Sequence, residues 1–301
     1  MTNPDAVRPE LVEGPRPTLA IIPLAGKATR HRPASYAIPK GLFPLVDVDG
    51  KTKPTIQLIL EEAFESGIER ACLVTGPGED GPFQRYLDIA HREGAAPWAP
   101  TVTFAVQPTP EGYGHAVYCA RDAAAGQPAL VMLGDTIYES YESRRCSAQL
   151  LDAYARCGAS VSGLQRLTES QLAGFGTVRG EPMPALGERT YRVRHVIEKP
   201  TPAQARESLV TPGLPTGTYL GWFGLHAVSA GIFDVLAEDV ALDRRERGEF
   251  QFTGAQARLA EREPYFGCEI AGRHMDMGDP ATYVQTQLDL HRIRTTHRPS
   301  S

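Results

Sequence analysis

Cations and carboxylates recur at the ends of apolar runs in this chain. The first such run, TLAIIP, leads into LAGKATRHRPASYAIPK, from Leu24 to Lys40. A small-residue loop after a strand can present several backbone N–H groups to a phosphate. Arg30 adds bidentate contacts and Lys40 a mobile point charge. The plainer alternative is a turn carrying surface cations. Two other phosphate motifs do not fit. A G-x-x-x-x-G-K-[ST] loop needs glycine where Ile21 stands, and Ala28 replaces the hydroxyl residue that holds Mg²⁺. No G-x-G-x-x-G follows the strand.

Further along, VMLGDTIYES ends an apolar run in Gly134-Asp135. A carboxylate at the carboxyl end of a strand suits a Mg²⁺ ligand at a phosphate site, although strand-ending acids are common. HMDMGDP offers Asp276 as a second carboxylate, while Asp279, just before Pro280, reads as a helix N-cap. VIEKP places Glu198 and Lys199 side by side; the pair suits a sugar phosphate, or is a surface ion pair. QPTPEGYGHA puts Gln107 at a strand end and Gly112, Gly114 and His115 at a helix start. An amide can pair with a base edge, and glycines let a flat base approach the backbone. His115 on its own reads as a helix residue with no chemistry. The eight histidines show no zinc-ligand spacing, and no G-x-S-x-G marks a hydrolase nucleophile.

The elements that must position these residues alternate. Strands are expected at Leu19–Pro23, Ala71–Thr75, Val102–Gln107 and Ala129–Leu133, with helices at Pro54–Ser66, Pro82–Glu93 and Tyr113–Ala125 between them. That order predicts an α/β protein with a mostly parallel sheet covered on both faces, and ligands beyond the carboxyl ends of its strands. The second half is more mixed. Strands are expected at Ala159–Leu164, Thr190–Ile197, Thr218–His226 and Tyr265–Ile270. Helices are expected at Pro202–Leu209, Ser229–Glu238, Thr253–Glu263 and Pro280–Arg294. VDVDGKTKP reads as a hairpin turning at Asp49-Gly50.

Composition sets the bounds. The 301 residues carry a net charge of −5 with no run of Lys or Arg, so neither nucleic acid nor an anionic membrane is an expected partner. Five cysteines without a C-x-x-C pair read as reduced thiols of a cytoplasmic protein. No apolar stretch approaches a membrane span, and the proline-rich N-terminus lacks the apolar core of a secretory signal. We expect a flexible tail over 1–17, one domain over 18–294 and a short tail over 295–301.

In their order, these motifs resemble the sugar-1-phosphate nucleotidylyltransferases, most closely the bacterial UTP–glucose-1-phosphate uridylyltransferases. The similarity covers roughly residues 18 to 290. The family's G-x-G-T-R-x-x-P loop and following lysine match Gly26, Thr29, Arg30, Pro33 and Lys40. FPLVD and KPTIQ, Gln107 with GYGHA, LGDTIY, FGTV (Phe175–Val178), VIEKP, GEFQFTGA (Gly248–Ala255) and Asp276-x-Gly278 follow in family order.

The resemblance implies a Rossmann-like mixed sheet flanked by helices, the glycosyltransferase-A-like nucleotidyltransferase fold. It implies Mg²⁺-dependent attack of a sugar 1-phosphate on the α-phosphorus of a nucleoside triphosphate. By that likeness Arg30, Lys40 and Lys199 are catalytic. Ala25, Gly26, Lys27, Thr29, Gln107, Gly112 and Asp135 bind the nucleotide. Gly176, Glu198, Lys199 and Gly221 hold the sugar phosphate, and Asp135 and Asp276 hold Mg²⁺. A homo-oligomer is also implied; no hexapeptide repeat follows to suggest an acyltransferase domain. The chain departs from the family at Ala28 (glycine there), at Gly41 (Glu or Gln), at the inserted Val48–Thr52 and at Gly254 (Asp). UTP is the expected nucleotide, with dTTP, another sugar phosphate or a non-catalytic nucleotide-sugar sensor as alternatives.

Overall fold

A computed structural model of the chain describes residues 16–296. The run LAIIP is apolar at every position because it is buried on both faces. Leu19 and Ile21 enter one core, with Cys72, Val74 and Val131, while Ala20 and Ile22 enter the other, with Leu73, Leu130 and Met132. This alternation is the period of a central strand. Each of these Leu or Ile side chains contributes about 1.5–3 kcal/mol by leaving water.

Thirteen strands form among the described residues. They are β1 (Leu19–Pro23), β2 (Pro44–Val46), β3 (Thr52–Pro54), β4 (Arg70–Thr75), β5 (Val102–Val106), β6 (Ala129–Met132), β7 (Thr136–Ser140), β8 (Ser160–Thr168), β9 (Gly176–Pro182), β10 (Thr190–Glu198), β11 (Thr218–Val228), β12 (Tyr265–Glu269) and β13 (Gly272–Asp276). Nine build one mixed sheet in the order β5-β4-β1-β6-β11-β8-β12-β10-β9. The first four are mutually parallel, and β11 joins them antiparallel to both β6 and β8. β8 and β12 are parallel, whereas β10 and β9 close the sheet antiparallel. β4 lies on one side of β1 and β6 on the other, so strand order reverses at β1. Such a reversal opens a crevice at the carboxyl ends of the strands.

Several expectations shift. The stretch Tyr113–Ala125 is two helices, Tyr113–Cys119 and Arg121–Ala124, parted at Ala120. The FGTV stretch, Phe175–Val178, runs into β9. A helix at Cys146–Cys157 and the β7–β13 pair were not expected from the sequence. The hairpin forms as β2 and β3, with Gly50 at φ +86° in its turn. The last helix, Pro280–Thr296, continues two residues past 294; the rest of both expected tails lies almost wholly outside the described residues. Asp279 caps that helix, accepting from the backbone of Ala281 (2.8 Å) and Thr282 (3.0 Å).

Candidate active site

The chain leaves the sheet after Leu24, whose N–H still donates to Val74 at 2.7 Å. The N–H groups of Ala25, Gly26, Lys27 and Ala28 then find no partner among the described residues. Unpaired donors in succession after a strand form a ready anion cradle. Ala28 adopts φ 45° and ψ 42°, the left-handed region, and its carbonyl accepts from His31 N–H at 2.9 Å to start the turn Thr29–His31. For a residue with a Cβ this costs about 1–2 kcal/mol.

His31 anchors the loop. Its ring is buried and Nε2 donates to the carbonyl of Met277 at 2.9 Å. The N–H of Met277 donates in turn to the carbonyl of Asp135 at 2.9 Å. Gly134 lets β6 end against β1, since a Cβ there would collide with the carbonyl of Pro23. Asp135 then receives the ammonium of Lys40 directly. Asp276 ends β13 opposite Thr136 on β7, one residue from Asp135. Although Asp276 is open to solvent, partial burial and then the Asp135 charge push its carboxyl above the usual range, against the hydrogen bond from Gly278 N–H and the charge of Lys40.

A cleft of about 570 Å³ opens at Asp135, and Asp276 and His31 are not among its lining residues. Ala25, Gly26, Lys27, Arg30 and Lys40 line it on the loop side, Gln107 and Gly112 at one end, with Asp135 and Lys199. Arg30 is exposed and makes no ion pair among the described residues, whereas Lys27 pairs with Glu79 at 3.0 Å. Gly112 has φ +113°, and a Cβ there would stand 2.8 Å from the carbonyl of Phe250. The unpaired Arg30, the paired Lys27, Lys40 and Lys199, an N–H cradle and the Asp135 carboxylate in one cleft suit a polyphosphate with a cation.

A family model described as nucleotidyl transferase matches residues 19–292. The chain belongs to the nucleotidyl transferase family. The transferase is 31% identical over 285 residues to a UTP–glucose-1-phosphate uridylyltransferase of Bacillus subtilis, covering 90% of this chain and 89% of that one. It is 32% identical to UTP–glucose-1-phosphate uridylyltransferase 2 of Staphylococcus saprophyticus, covering 90% of each. A solved UDP-glucose pyrophosphorylase in complex with UDP-glucose superposes with a TM-score of 0.77 at 24% identity, over 92% of this chain and 99% of that chain, and shows the same fold.

Of the other residues singled out in the sequence of the transferase, Lys199 lines the cleft, and Glu198, Gly176 and Gly221 do not. Glu198 ends β10 with its carboxylate 3.8 Å from the ammonium of Lys199. Lys199 is itself left-handed, at φ 49°, and Arg247 donates to the carbonyls of Glu198 (3.3 Å) and Lys199 (3.5 Å). Gly176 packs between Trp222 and Glu198. Gly221 lies inside the sheet, against Leu167 and Phe175, so packing accounts for it. Thr29 opens the turn after the loop without lining the cleft.

The sequence reading gave no role to Tyr113, Glu249 or His31. Glu249 lines the cleft from within the GEFQFTGA motif, which was the available signal. His31 carried none, because its partner is a distant backbone carbonyl. The departures have local reasons. The ring of Phe83 fills the space that a side chain on Gly41 would take, and the Glu246 carboxylate, which also meets Arg258 at 3.3 Å, fills that beside Gly254.

Proposed function

We propose that this chain transfers a uridylyl group from UTP to glucose 1-phosphate, giving UDP-glucose and pyrophosphate, with Mg²⁺ as cofactor. The observation that carries the reading is the meeting of Lys40, Asp135 and Asp276 beside the free N–H groups of Ala25–Ala28, with Lys199 bordering the same cleft. The named relatives support uracil and glucose as the base and sugar.

A sugar phosphate is already an anionic nucleophile at neutral pH. Its oxygen attacks the α-phosphorus in line, and the bond to pyrophosphate breaks as the new P–O bond forms. No proton-shuttling base and no covalent enzyme intermediate are needed. The protein positions two polyanions and offsets their repulsion. Arg30 and the loop N–H groups hold the β- and γ-phosphates and the departing pyrophosphate. Lys40 serves the α-phosphate, Lys199 and Glu198 orient the sugar phosphate, and Gln107 and Gly112 meet the base.

Asp135 and Asp276 fit a small divalent cation. They are hard oxygen donors on neighbouring strand ends, and partial burial, then the Asp135 charge, holds the Asp276 carboxyl above its usual range. Asp135 and Asp276 would hold Mg²⁺, which would supply positive charge against the triphosphate. Among the described residues no helix is long and apolar enough to cross a membrane, and the five thiols are free; we place the enzyme in the cytoplasm.

The test is product formation from UTP and glucose 1-phosphate. UDP-glucose should form with Mg²⁺ and not with excess chelator. Pyrophosphate should not exchange into UTP without the sugar phosphate. Exchange in its absence would replace direct attack with a covalent intermediate.

A further inference from the structure

The side-chain amide of Gln107 is held from two sides. Its Nε2 lies 3.0 Å from the carbonyl oxygen of Gly112 and 3.2 Å from Nδ1 of His115. A carbonyl only accepts, so the amide NH₂ must face it. The second amide proton then points at Nδ1, which accepts only in a neutral imidazole protonated on Nε2. Both donors of the amide are used within the protein. Its oxygen has no partner among the described residues, and Gln107 lines the cleft.

His115 is built into this arrangement. It is buried on the helix Tyr113–Cys119, with the rings of Phe250 and Tyr118 beside it at 5.9 and 6.4 Å. Its Nε2 lies 3.8 Å from the sulfur of Cys119. The Glu111 carboxylate is 3.6 Å from Nδ1 and would compete for it. Arg245 engages that carboxylate at 2.7 Å, and stacks on Phe250 at 4.2 Å. Arg245 holds the other oxygen of that carboxylate, and Gln107 Nε2, at 3.2 Å, is the nearer partner of Nδ1.

We propose that His115 is a positioning residue that fixes the Gln107 amide with its oxygen toward the cleft, so that the base subsite selects a pyrimidine with a ring N–H donor and rejects cytosine. Gly112 decides which amide atom is turned inward, and His115 holds the plane. Uracil and thymine carry a proton on N3; cytosine presents a lone pair there. A fixed acceptor pairs with the first and repels the second. The inference rests on the reading of Gln107 as the base contact.

The test compares His115→Asn with His115→Leu, side chains of nearly equal size. Asparagine returns an acceptor oxygen near the position of Nδ1; leucine does not. With glucose 1-phosphate and Mg²⁺, kcat/KM is measured for UTP and for CTP, with Gln107→Met as a reference. His115→Leu should lower the UTP/CTP ratio by about tenfold or more, chiefly through the KM for UTP, and His115→Asn should stay within about threefold of wild type. A wild-type ratio in His115→Leu, alongside a lost ratio in Gln107→Met, overturns the role of His115 alone. A wild-type ratio in both overturns the base contact beneath it as well. Nitrogen NMR of the wild-type imidazole needs no variant to fold: His115 should be the neutral Nε2–H tautomer, and a proton on Nδ1 overturns the proposal.

Discussion

Asp276 ends β13 beside Asp135, which precedes β7, because the two strands pair antiparallel and set Asp276 across from Thr136. The pair is tied to the phosphate loop through Met277, which donates to Asp135 and accepts from His31, each at 2.9 Å. Two carboxylates and one ammonium from three distant segments therefore share a fixed frame. The excess negative charge is what a divalent cation would offset.

Asp135→Asn removes one charged oxygen while keeping the shape. We expect turnover with Mg²⁺ to fall by about 10²–10³-fold, the scale seen when a preorganised electrostatic contact is deleted. The side chain is partly exposed, and relief of repulsion with Asp276 opposes the lost ion pair with Lys40. The melting temperature should therefore move little. An unchanged rate at saturating Mg²⁺ would remove Asp135 from the metal site.

Ala28→Gly relieves the left-handed strain at φ 45°. Against that gain of about 1–2 kcal/mol stands the greater freedom of glycine in the unfolded chain, about 0.4–1 kcal/mol. The variant should be as stable as wild type or more so by about 1 kcal/mol in urea titration, with activity kept or raised. A large loss of activity in a stable variant would mean that the methyl group is part of an adapted loop.

Acid should destabilise the protein through the buried His226 and the half-buried His274. Burial pushes His226 down to about 3 and His274 down to about 4, from 6.5. Both are neutral when folded and take up protons when unfolded. Their contribution is complete above pH 6.5 and is lost as pH falls toward those values, by about 1.4 kcal/mol per pH unit for each group. His226 bonds Ser162 at 2.7 Å and Gln256 at 2.9 Å. His226→Gln should lower stability at pH 7.5 yet flatten its decline between pH 6.5 and 5. An equal slope in the variant, read from urea midpoints, would contradict the assignment.

The first strand and its loop are legible in the sequence because β1 is apolar on both faces and its end must carry the ligand groups. Asp135 is legible for the same reason. The β7–β13 pair is not: TIYES and GRHMD are short, mix polar with apolar residues, and meet only through tertiary structure. The helix Cys146–Cys157 did carry a signal, with Leu150, Leu151 and Tyr154 spaced for one buried face. Cys119 ends one helix and Arg121 starts another with no proline or glycine to mark the break at Ala120. His115 was read as inert because its partner, Gln107, comes from the end of another element, and the lone pair that holds the amide has no sequence signature.

The central claim is tested most directly by pyrophosphate release with glucose 1-phosphate, Mg²⁺ and each of UTP, dTTP, ATP, CTP and GTP in turn. Release with UTP should exceed that with the others, with little from CTP. Release with dTTP above UTP would keep the chemistry and change the substrate. No release with any of the five, on glucose 1-phosphate or other sugar 1-phosphates, would contradict catalysis and leave a chain that binds nucleotide sugars without making them.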